Sequence, residues 1–62
     1  MNSENFEISL MNGRDYLITY KWYLIPNVGD ELSLSEQKIF IVKKRLLPTT
    51  DSNHVVLFGN II

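Results

Sequence analysis

The sequence predicts an all-β fold, five antiparallel strands curled into a small barrel, on three observations. Apolar residues alternate with polar ones or gather in short blocks, and no segment carries a capped helical period. Those blocks are rich in valine, isoleucine and aromatic residues, the types that suit a pleated, half-buried surface. Asn12-Gly13, Pro26, Pro48 and two polar clusters punctuate the chain, dividing one domain of residues 1–62 into five segments.

The first strand is expected over residues 5–10, with Phe6, Ile8 and Leu10 on one face and Glu7 and Ser9 on the other. Asn12-Gly13 then suits the two positive-φ positions of a type I′ hairpin turn. A second strand over residues 14–25 presents Tyr16, Ile18, Tyr20, Trp22 and Leu24 on its more apolar face, where core packing is the default. Leu17, Thr19, Lys21 and Tyr23 face the other way. Pro26 cannot donate to a ladder and ends that strand. Asn27 and Gly29 tolerate left-handed backbone, and the Asp30 carboxylate can accept a nearby backbone N–H, so residues 26–30 read as a firm corner.

A short third strand covers residues 31–34, with Leu32 and Leu34 on one face, and Ser35 to Lys38 form a polar turn. The fourth strand runs over residues 39–47 until Pro48 stops it. In it Phe40 and Val42 compete with Ile39 and Ile41 for the interior, and Phe40 and Val42 are the expected pair. Residues 49–53 form a second polar turn. The fifth strand, 55–61, is interrupted at Gly59, where a bulge or a close backbone approach is expected. The terminal isoleucines either fold back on the core or pair with another subunit, with fold-back favoured.

Curvature follows from length. About ten residues of the second segment at ~3.3 Å each reach roughly 33 Å. A compact chain of this size has a radius of gyration near 10.6 Å, hence a diameter of about 27 Å. A straight strand would overhang, so it bends and serves two sheets. The core is small. Burial contributes about 95 kcal/mol as an upper bound. Ordering the chain costs about 93 kcal/mol. Such a domain is marginal alone, and a partner would help it.

PNVGDEL followed by KIFIVKKRLLP and VVLFGNII resembles the later strands of SH3-like small β-barrels, over residues 26–62. The resemblance implies a five-stranded antiparallel SH3-like barrel that binds peptides, nucleic acid, modified tails or its own copies, and no catalytic residue carries over from it. The acidic loop and ALYDY-type motif of signalling SH3 domains are absent from this sequence, which argues against PxxP peptides as ligands.

Composition narrows the function further. The chain has no cysteine, which excludes disulfides and thiolate metal sites and suits a reducing compartment. Its net charge of −1 supplies no global attraction to nucleic acid or anionic membrane. MNSENFEISL lacks a basic start and a long apolar run, so no signal peptide is expected, no apolar stretch reaches bilayer length, and a cytoplasmic protein is the expectation.

Lys43-Lys44-Arg45 is the one charge cluster. On a regular strand Lys43 and Arg45 share a face and Lys44 does not, unless a bulge intervenes. Such lysines commonly guard an edge; a binding role is the alternative. Lys21 and Tyr23, opposite the apolar face, form a candidate aromatic-plus-cation contact. Lys21, Tyr23, Lys43 and Arg45 are therefore the candidate partner-binding residues. His54 reads as a solvent-exposed turn residue, and Ser52 two positions away does not make it a nucleophile pair. The carboxylates, Glu4, Glu7, Asp15, Asp30, Glu31, Glu36 and Asp51, are scattered, and Gly13, Gly29 and Gly59 form no phosphate loop. No catalytic set, metal or cofactor is expected. The expected function is a non-catalytic module that binds another protein or a second copy of itself. The rival is a single-stranded nucleic-acid barrel using Tyr23, Lys21, Lys43 and Arg45.

Overall fold

A computed structural model describes residues 5–35, 37–50 and 52–62; the expected turn residues Glu36 and Asp51, and Glu4, lie outside them. The described residues form five strands and no helix: β1 (Phe6–Asn12), β2 (Asp15–Trp22), β3 (Glu31–Ser35), β4 (Lys38–Leu46) and β5 (His54–Ile61). They make one curled sheet in the order β2-β1-β5-β4-β3. The alternation read from the sequence places the core on its inner face. Ile8, Leu10, Phe40, Val42, Val55 and Leu57 are all buried there. Phe6, Leu17, Tyr20, Ile25, Leu32, Leu34 and Ile61 pack around them. The choice of Phe40 and Val42 for the interior holds.

The expectation of antiparallel pairing throughout is corrected. β1 pairs with β2 antiparallel, as do β3 with β4 and β4 with β5, but β1 and β5 are parallel. Strands that alternate in direction along the chain leave the first and fifth running the same way. When curvature brings those two together, they can only pair in parallel.

The hairpin between β1 and β2 is also shifted. Asn12 pairs with Asp15, so Gly13 and Arg14 are the central residues. Of these two, only Gly13 has positive φ, at 65°. That is the pattern of a II′ turn, with glycine in the first central place, and not the I′ turn expected. A bulge then changes the phase of β2. Leu10 pairs with Ile18 but Met11 with Tyr16, leaving Leu17 extra. Tyr16 falls on the outer face, which corrects its expected place beside Ile18, Tyr20 and Trp22.

The corner at residues 26–30 forms as expected. Gly29 has φ 97°. The Asn27 N–H donates to the Asp30 carboxylate at 2.8 Å, and the Asp30 N–H to the Asn27 carbonyl at 3.0 Å. Two further bonds tie the corner to β4: Gly29 N–H to the Val42 carbonyl at 2.8 Å, and Val42 N–H to the Asp30 carbonyl at 3.0 Å. Asp30→Ala removes one exposed, charge-assisted bond and should cost about 1 kcal/mol in urea unfolding, while Asp30→Asn, which keeps an acceptor, should cost less.

At the other end of the chain, Ile61 packs on the core and the Ile62 N–H donates to the Ile39 carbonyl at 2.8 Å. The backbone folds back as favoured, although the Ile62 side chain stays exposed.

Candidate docking seam

The curled sheet does not close. Its terminal strands β2 and β3 run in opposite directions, yet no Cα of one comes within 8 Å of a Cα of the other. Paired strands lie about 4.8 Å apart, so the two edges are beyond pairing distance. Between them lies a cleft of about 700 Å³.

The register explains its lining. On β2, Ile18 sits opposite Leu10, Tyr20 opposite Ile8 and Trp22 opposite Phe6, so all three point to the inner face. On β3, Leu32 sits opposite Phe40 and turns the same way. Leu10 and Tyr20 line the cleft with Ile18, Trp22, Leu32 and Leu34, and residues 24–27 close one end. The cleft is an extension of the core that lacks a cover. Ile18 is 42% exposed, Trp22 51% and Leu24 58%. The expectation that the apolar face of the second strand would be core is therefore met by Tyr20 alone among its three inner residues, and only in part.

Burial raises the Tyr20 phenol above its ordinary value of 10.0. Ionisation is disfavoured in the fold, so this contribution to stability is whole below pH 10 and is lost as pH rises through the raised value. Phenolate absorbance should show a late step that Tyr20→Phe deletes; a titration unchanged by that substitution contradicts the assignment.

Lys21 and Tyr23 lie toward the C-terminal end of β2, Lys21 on the outer face opposite Glu7 and Tyr23 just past the strand, its ring 5.0 Å from that of Trp22. Lys43 and Arg45 lie on β4, three strand steps or about 14 Å away across the sheet. Lys43 is also near the opposite end, and Arg45, level with Leu57 and Leu10, is at mid-sheet. Lys21 is level with Glu7 and His54, whereas Val42, beside Lys43, is level with Gly59 and Asn12. From Glu7 to Asn12 is about 17 Å along the strand. The four residues do not share one surface.

The exception allowed for Lys43 and Arg45, an intervening bulge, is the case. The ladder passes from Val42–Gly59 to Lys44–Phe58, so Lys43 is a bulge residue. Lys44 then occupies the outer face, with its Nζ 6.0 Å from the centre of the Phe58 ring, and Arg45 sits opposite the core residue Leu57. The bulge expected at Gly59 is on the facing strand. Gly59 itself marks the close approach, because a Cβ there would collide with the Ile41 carbonyl oxygen and lie 2.8 Å from Phe40 Cζ.

The outer face holds a polar chain that crosses three strands. Tyr16 Oη donates to Thr19 Oγ1 at 2.9 Å, Thr19 Oγ1 meets Ser9 Oγ at 2.8 Å, and Ser9 Oγ meets His54 Nε2 at 2.8 Å. His54 opens β5; it is exposed, as expected, but it belongs to the strand and is tied to Ser9. Ser52 takes only its backbone N–H, at 3.1 Å. Ser9 is 7% exposed and engaged by Thr19 as well, so the Ser9–His54 contact serves as a cross-strand tie. Sequence reasoning missed it because these residues meet only through the parallel β1–β5 register.

Among the described residues no group of three or more His, Cys, Asp or Glu side chains could hold a metal ion. No helix among them is long and apolar enough to cross a membrane. No family model matches the chain, and no curated protein or solved structure matches it significantly.

Proposed function

We propose that this chain is a non-catalytic protein-interaction or assembly module whose docking surface is the seam between β2 and β3. One observation carries the reading: an apolar cleft of about 700 Å³ flanked by two unpaired strand edges. Contiguous exposed apolar surface of this kind marks interaction sites, and unpaired edges recruit further backbone. The marginal balance between burial and chain ordering adds to it, since a cover on the cleft would complete the core. An SH3-like barrel, open at the seam, is the proposed fold type, supported by five sequential strands in one curled sheet. The absence of cysteine suits a cytoplasmic setting.

The nucleic-acid reading needs Tyr23, Lys21, Lys43 and Arg45 along one track, and the register spreads them over both ends of the sheet. The interaction reading is tested by capture of protein partners from nuclease-treated lysate. Ile18→Asp and Trp22→Asp, both at half-exposed positions, should abolish capture while circular dichroism stays unchanged. Lys43→Glu, away from the seam, should leave it intact. Capture that ignores the seam substitutions, or that depends on Lys43 and on intact nucleic acid, overturns the proposal.

A further inference from the structure

We infer that the seam takes a single extended protein segment, with apolar residues at alternate positions and a lysine or arginine at the end lying beside Asp30 and Glu31. The inference rests on the seam being the docking surface and names what docks there.

Width is the first argument. Inserting one strand between two others requires their edges to stand about 9.6 Å apart, twice the spacing of a paired strand. With no Cα pair inside 8 Å the two edges do not pair with each other, and the cleft of about 700 Å³ between them is the space an inserted strand would enter. The second argument is backbone chemistry. β2 and β3 each lack a partner on the seam side, so an inserted strand has a donor–acceptor row to meet on both flanks. Because the two edges run in opposite directions, the segment is parallel to one and antiparallel to the other in either orientation. A helix satisfies its backbone internally and would leave both edges unmet.

Side-chain pattern follows from the pleat. Ile18, Trp22, Leu32 and Leu34 line the inner side, so every second residue of the guest meets an apolar wall and the rest face outward. Charge sets the last requirement. Among the described residues, Asp30 and Glu31, at the end closed by the corner, are the only charged ones lining the cleft, and no lysine or arginine lines it. Lys21 stands near that end but on the outer face, opposite Glu7. A cation on the guest is complementary there, and a carboxylate is not.

Trp22 is the only tryptophan in the chain and lines the seam, so its emission reports occupancy. The probe is a capped peptide alternating valine and threonine over the length of β3, with a lysine pair at one end. It should shift Trp22 emission to the blue in a saturable way. The same peptide ending in glutamates should bind about tenfold more weakly, or worse. Glu31→Lys should reverse that order, and a peptide with proline at alternate positions, which lacks the donors, should not bind. Equal affinity for both charge forms, or no saturable shift with the folded protein, overturns the inference. So does a blue shift that grows with protein concentration alone and coincides with dimer mass in light scattering, which makes a second copy the occupant. If Ile18→Asp abolishes partner capture while the lysine peptide leaves Trp22 unmoved, the interaction reading survives and the strand inference falls.

Discussion

Gly59→Ala is expected to unfold most of the molecule at room temperature. Gly59 is buried on the inner face of β5, paired with Val42 on one side and Asn12 on the other. Its backbone is in the ordinary negative-φ range, so the constraint is space and not conformation. An added Cβ collides with the Ile41 carbonyl oxygen and comes within 2.8 Å of Phe40 Cζ. Overpacking of this kind typically costs about 1–3 kcal/mol. A collision with backbone inside a sheet belongs at or above the top of that range. A domain of this size holds only about 3–5 kcal/mol in all. Urea unfolding and the dispersion of amide resonances measure the loss. Adding Phe40→Leu should not rescue the variant, because the nearer obstacle is the carbonyl of β4 and not the ring. A folded Gly59→Ala protein with an unshifted midpoint would refute the close approach.

Phe40→Ala is expected to have an effect of similar size by the opposite route. Phe40 is fully buried, the largest of the fully buried side chains, and sits between Leu32 on β3 and Ile61 on β5. Removing the ring leaves a cavity where three strands meet, at a cost of about 3–5 kcal/mol. That equals the stability available, so the variant should be largely unfolded without urea. Phe40→Leu, which keeps much of the volume, should stay folded with a loss nearer 1.5 kcal/mol. Ile39→Ala, on the outer face of the same strand and 37% exposed, is the control and should cost less than either. If Ile39→Ala proves the costlier substitution, the phase of β4 is the reverse of that described.

Much of the fold was legible because local rules agree with one another. The alternation of Phe6, Ile8 and Leu10 sets which face of β1 is buried, and the corner at residues 26–30 follows from Pro26, Gly29 and the short reach of the Asp30 carboxylate. The misassigned faces share one cause. The bulges at Leu17 and Lys43 each insert a residue into one strand only, and every side chain beyond the bulge changes face relative to strict alternation. Strict alternation therefore misplaced Tyr16, and at Lys43 the bulge that the sequence reading allowed for moved Arg45 to the face opposite Lys44. The polar chain from Tyr16 to His54 was invisible for a related reason. Its four members lie on three strands and meet only once those strands are in register.

Residue chemistry alone determined the class of this protein: strands, the approximate limits of all but β2, which ends at Trp22 and not at Pro26, the inward pair Phe40 and Val42, and the tight approach at Gly59. These depend on side-chain size, branching and backbone freedom, which each residue carries with it. The tertiary structure decided what neighbours what. Alternating direction over five strands made the β1–β5 contact parallel, and the extent of curling left β2 and β3 too far apart to pair. The sequence reads Ile18 and Trp22 as core residues, yet they line an open seam. Exposure depends on whether a distant strand arrives to cover a face, and pairing between distant segments is set by sheet curvature summed over the whole chain.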